Sequence, residues 1–203
     1  MKAATLIAQK IENIPEGEPF TSSQFLGLGA RASVDQALSR LVKKGLIARV
    51  TRGIFVRPEM SKYVGKAMPG LNKVVEAYAR AKGLTIQVQG AEAVRRFGLS
   101  TQMPVQPIYY TSGPSKQFKL GALNVRLKHV SLKKLVRPGT KAGLAVTALW
   151  YLGKENVNST VIDAIRKKML PSEFEELKVA IPSMPAWMAD MFYRYENESK
   201  RAE

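Results

Sequence analysis

A chain of 203 residues has room for one or two domains, and 45% apolar residues suffice for ordinary cores. Its 32 Lys and Arg against 16 Asp and Glu leave a formal charge of +16, which bears on partners rather than fold: nucleic acid first, an anionic membrane or an acidic protein second. The absence of cysteine excludes disulfides, thiolate zinc sites and thiol nucleophiles.

The opening stretch MKAATLIAQKIENI is charged again at Lys10 and lacks the long apolar core of a signal peptide. The longest apolar run, Ala142–Leu152, is far short of the ~20 residues of a membrane span. A soluble cytoplasmic protein is therefore expected. Residues 1–66 hold 11 basic and 5 acidic residues (net +6), and residues 67–203 hold 21 and 11 (net +10). Both parts are basic, so clustering has to locate a site.

Taken in order, Ala3–Ile14 is expected as a helix with Leu6, Ile7, Ile11 and Ile14 on one face. Pro15-Glu16-Gly17-Glu18-Pro19 reads as a turn, with Phe20 as a staple residue before a T-x-x-Q capping box at Thr21 and Gln24. That box starts a short helix ending at Gly27-Leu28-Gly29. A second box, Ser33 and Gln36, opens the next helix, whose Val34, Ala37, Leu38 and Leu41 form an apolar stripe that stops at Gly45. Leu46–Val50 and Ile54–Arg57 then flank Thr51-Arg52-Gly53 as a hairpin. Helix, turn, helix and hairpin is the order of a winged helix, whose second helix lies in the major groove. The polar stretch Glu59–Met68 and the Pro69-Gly70 pair set a boundary that divides a DNA-binding domain (1–64) from a second domain (65–203).

In the second domain, Leu71–Lys82 is expected as a helix, Leu84–Val88 as a strand and Ala91–Phe97 as a short helix. Ile108–Thr111, Phe118–Leu120 and Leu123–Val130 read as strands. Ala142–Leu152, Thr160–Leu170, Glu173–Ala180 (opened by a box at Ser172 and Glu175) and Pro185–Glu196 read as helices. The expected class is α+β: an N-terminal winged helix-turn-helix, then a mixed α/β domain with a helical end.

Candidate DNA contacts follow from that arrangement. Gln36, Ser39, Arg40 and Lys43 recur at i, i+3, i+4 and i+7, one outward face whose side chains suit adenine, either base, guanine and phosphate respectively. Gln36 has an alternative duty in its capping box, and any solvated helix face carries such residues. Lys44 adjoins that face. Arg49, Arg52 and Arg57 lie on or beside the hairpin, where guanidinium groups suit phosphate oxygens, and Arg31 precedes the helix. A second cluster, Lys116, Lys119, Arg126, Lys128, Lys133, Lys134, Arg137 and Lys141, contains no acid. It reads equally as further DNA contact, a dock for an acidic partner, or a solvated sheet face.

Enzyme signatures are poor. His129 has no second His or Cys with which to hold a metal, and Asp163 with Glu176-Leu177-Lys178 imitates a nuclease pattern on helices rather than on a sheet. No phosphate-cradling glycine loop or nucleophile elbow occurs. Neither catalysis nor a cofactor or metal is expected.

The segment ARASVDQALSRLVKKGLIARVTRGIFVRP (Ala30–Pro58) and, less sharply, MPAWMAD (Met184–Asp190) resemble the AbiEi-like antitoxins of type IV toxin–antitoxin systems. The resemblance implies a winged helix that binds inverted repeats in its own promoter and represses the operon. It further implies a C-terminal domain that counteracts a toxin of nucleotidyltransferase fold, and a place in abortive infection as a phage defence. Three other readings stay open: a winged-helix regulator with a ligand-sensing second domain, a nucleic-acid-processing enzyme, and an RNA-binding module.

Overall fold

The computed structural model describes residues 3–61 and 65–202. The fold is α+β and divides into two compact units, Met1–Leu84 with Phe118–Leu123, and Thr85–Gln117 with Asn124–Glu203. The expected division between 64 and 65 falls beside residues 62–64, outside the described residues.

In the first unit, α1 (Ala3–Glu12) is followed by β1 (Pro19–Thr21), a 3-10 helix (Ser22–Leu28), α2 (Arg31–Lys43), β2 (Ala48–Thr51) and β3 (Ile54–Val56). The three strands form an antiparallel sheet in the order β1-β3-β2. Ile7 and Ile11, one helical turn apart, meet Val34, Ala37 and Leu38 of α2 in a buried cluster closed by Phe20, Phe25, Ile47 and Phe55. Phe20 sits edge-on to Phe25 (centroids 5.7 Å) and stacks on Phe55 (6.1 Å), so β1 is pinned by packing as well as by its ladder to β3.

Two expected caps are absent, each for a local reason. Thr21 is paired with Ile54 in the sheet, and its hydroxyl engages Ser23 Oγ at 2.7 Å, so no T-x-x-Q box forms and the following segment is a 3-10 helix. α2 begins at Arg31, with Ala30 as its N-cap, so Ser33 lies inside the first turn. The Val34 N–H bond to Ala30 O and the Arg31–Asp35 ion pair (2.9 Å) start the helix upstream of Ser33. The C-terminus behaves as the sequence suggests: Gly45 (φ 71°) turns left-handed, its N–H reaching Val42 O and the N–H of Leu46 reaching Leu41 O.

Two short strands, β4 (Glu59–Ser61) and β5 (Gly65–Ala67), pair antiparallel, and α3 (Leu71–Lys82) follows, stopped by Gly83 at φ 62°. Expected in the second domain, α3 packs instead in the first unit. Val74 is buried with Val50, Ile54 and Val56, and Lys73 and Arg80 pair with Glu18 at 4.0 and 3.3 Å. Phe118 stacks on Tyr78 with centroids 5.9 Å apart.

The second unit holds β6 (Ile86–Val88), α4 (Gly90–Arg96), β7 (Ile108–Thr111) and a hairpin of β8 (Lys116–Leu120) and β9 (Leu123–His129), whose tip is the segment counted with the first unit. The sheet order is β6-β7-β9-β8, with β6 antiparallel and β9 parallel to β7. Helices α5 (Lys141–Leu152), α6 (Ser159–Arg166), α7 (Pro171–Val179) and α8 (Ala186–Ala202) complete it. α5 is buried from Ala142 to Leu149 and anchors a core with Phe97, Ile162, Ile165, Leu177, Met188 and Phe192. Gly143 is obligatory there, because a Cβ would collide with the carbonyl of Arg137. The box expected at Ser172 and Glu175 is replaced by Pro171 at N1 and Glu173, whose carboxylate accepts from the Leu170 N–H at 2.8 Å. Among the described residues no helix is long and apolar enough to cross a membrane.

Candidate nucleic-acid interface

The apolar stripe of α2 faces the core, which turns Ala32, Ser33, Gln36, Ser39, Arg40, Lys43 and Lys44 outward, all exposed. Among the described residues Arg40, Lys43 and Lys44 have no ion-pair partner. Asp35, the carboxylate on α2, is held by Arg31 at the flank of this face, so Arg31 is engaged within its own helix. Ala32 and Ser33 did not figure among the expected contacts. The stripe Val34–Ala37–Leu38 was enough to place them outward, but the apparent capping box assigned Ser33 a different duty.

The β2–β3 hairpin turns through Arg52 and Gly53, the latter at φ 81°, where glycine is unstrained. Arg52 stands exposed at the tip, with no ion pair among the described residues. Arg49 is exposed on β2, with its guanidinium 5.8 Å from the centroid of the Phe55 ring. These residues, the outer face of α2 and the hairpin belong to one compact unit and present cations to solvent.

Arg57 departs from the expected set. Its Nη1 donates to the carbonyls of Glu12 and Ile14, both at 2.7 Å, and its Nη2 lies 3.5 Å from Glu16. Those carbonyls are orphan acceptors at the end of α1, so Arg57 acts as a C-terminal clasp rather than a solvent-facing cation.

The second cluster keeps the alternation read from sequence. On β9, Val125 and Leu127 are buried while Arg126 and Lys128 are exposed. Lys116 and Lys119 are exposed on β8, and Lys133 and Lys134 on the 3-10 turn Leu132–Lys134. Lys134 lies over the Trp150 ring (5.0 Å), Lys141 lies over Phe97 (5.7 Å), and Arg137 pairs with Glu176 at 3.5 Å. Lys119, Arg126, Lys128 and Lys133 have no ion pair among the described residues.

The nuclease-like trio is dispersed among separate partners. Asp163 pairs with Lys167 at 2.7 Å, and that hydrogen bond holds its carboxyl below the usual range. Glu176 answers Arg137, and Lys178 answers Glu175 and Glu196. His129 Nδ1 lies 3.0 Å from the Gly113 carbonyl, a local tie between neighbouring segments. Among the described residues no three His, Cys, Asp or Glu side chains gather as a metal site would require.

No curated protein matches the chain. One family model does match, over residues 6–177, well beyond half of the sequence and through both compact units. The protein belongs to DUF6088, a family of unknown function.

Proposed function

We propose that this protein is a sequence-specific DNA-binding repressor of winged-helix type that controls its own operon and serves as the antitoxin of a type IV toxin–antitoxin pair. The observation that carries the DNA reading is the outer face of α2. Gln36, Ser39, Arg40 and Lys43 lie exposed on a helix whose opposite face is core, and a hairpin tipped by Arg52 follows that helix in the chain. The order α1, β1, short helix, α2, β2, β3 with the sheet arranged β1-β3-β2 supports the winged-helix reading, in which the β2–β3 hairpin would be the wing.

The antitoxin role rests on the resemblance at Ala30–Pro58 and Met184–Asp190. Met184 and Met188 are core residues, and Trp187 meets Trp150 edge-on at 6.4 Å, so the likeness at that second segment speaks to the fold of the unit.

A mobility shift of the full chain on its own upstream DNA and on random duplex, at two salt concentrations, tests the repressor reading. Tighter binding to the upstream DNA that survives the higher salt is expected, because phosphate contacts weaken with salt on any sequence and base contacts do not. Equal, salt-sensitive binding to both would reject it. Co-expression with the product of the neighbouring gene tests the antitoxin role: growth arrest by that product, relieved by this chain, is expected.

A further inference from the structure

The start of α2 at Arg31 changes which side chains are free. With Ala30 as N-cap, neither Ser33 nor Gln36 serves a cap, and neither side chain has a hydrogen-bond partner among the described residues. At about 100° per residue, Ala32, Ser33 and Gln36 fall in the same exposed sector as Ser39, Arg40 and Lys43, opposite the buried Val34, Ala37 and Leu38. They occupy the first two turns. Arg40 and Lys43 lie ~6 and ~10 Å further along the axis at 1.5 Å per residue.

A recognition helix reaches base edges first with its N-terminal residues. Small side chains at 32 and 33 keep that end slim, so the helix can approach the groove floor. The Arg31–Asp35 pair sits outside the sector and neutralises the acid that would otherwise repel phosphate. We infer that Ala32, Ser33 and Gln36 form the base-reading set of the first two turns, N-terminal to Arg40. Gln36 takes an adenine through N6 and N7, Ala32 meets the methyl of a thymine, and Ser33 accepts either base. The operator half-site therefore presents an A·T pair at the Gln36 position. This inference rests on the DNA-binding reading above and adds to it the identity of the readers and of the base read.

The test uses the full chain and its upstream DNA, with every single-base-pair substitution of the bound site measured for the parent and for Gln36→Ala. Gln36 is exposed and alanine is the stronger helix former, so the variant folds, which thermal unfolding checks. The parent should prefer adenine at one base pair by about 5- to 150-fold. Gln36→Ala should level that preference there and at no other position. In the parent complex, 7-deazaadenine at the same position should reproduce the loss, and uracil for one thymine nearby should weaken binding by removing only a methyl. If Gln36→Ala keeps the adenine preference, or weakens all sequences alike, the assignment is overturned. A parent that binds upstream and random DNA equally would instead defeat the repressor reading itself.

Discussion

Arg40 and Arg52 carry the same charge, yet their settings predict different losses. Arg40 projects from the outer face of α2, where a guanidinium can take a guanine edge. Arg40→Ala should weaken binding by ~1–3 kcal/mol at particular base pairs, seen as a relaxed preference across a panel of substituted sites. Arg52 tops a hairpin, which on the proposed reading is the wing and would meet phosphate. Arg52→Ala should weaken binding to all sequences alike and lower the slope of log affinity against log salt by about one contact. Arg57 belongs to neither case. Its removal orphans two carbonyls at the end of α1, so Arg57→Ala should lower unfolding stability by about 1–3 kcal/mol in urea titration while leaving affinity per folded molecule unchanged. A matching loss of affinity would return Arg57 to the interface.

At the scale of elements, β9 separates its two faces by alternation alone. Val125 and Leu127 go to the interior, and Arg126 and Lys128 go to solvent about 6.6 Å apart, two strand steps. Lysine is depleted at protein–protein interfaces, whereas a lysine-rich, carboxylate-free surface suits phosphates. The paired change Arg126→Ala with Lys128→Ala should therefore leave base preference intact and make the salt dependence of binding to random duplex shallower by about two contacts. An unchanged slope would leave this face as solvated sheet. Since Val125 and Leu127 are untouched, unfolding stability should stay within ~0.5 kcal/mol.

For the whole molecule, a formal charge of +16 on 203 residues means self-repulsion in the folded state. The ion pairs that relieve it are mostly exposed, as in Arg80–Glu18 and Lys167–Asp163, and contribute little individually. The melting temperature should accordingly rise between about 10 and 150 mM salt, as the screening length falls from ~30 to ~8 Å. On the proposed DNA-binding reading, affinity for any duplex should fall over the same interval. A melting temperature that falls across that range would show that attraction within the pairs outweighs the net repulsion.

Local patterns in the chain determined much of this protein. The bounds of α3, β7 and α5 agree with the periodic runs that predicted them to within a residue, because each carries its own apolar period and a stop such as Gly83. The outward placement of Gln36, Ser39, Arg40 and Lys43 was legible for the same reason: a stripe that must face the core fixes what faces water. Only tertiary structure decided the rest. A T-x-x-Q or S-x-x-E pattern describes a possible cap. Whether it forms depends on what else claims the residue, and Thr21 was claimed by its ladder to Ile54. The sequence showed Arg57 as a cation, while its value as a clasp came from carbonyls more than forty positions earlier in the chain. Likewise α3 joined the first unit because Val74 found Val50, Ile54 and Val56. Periodicity acts over a few residues and can be read along the chain. Competition for a side chain or a buried surface is settled between segments far apart in sequence, and only folding brings those competitors together.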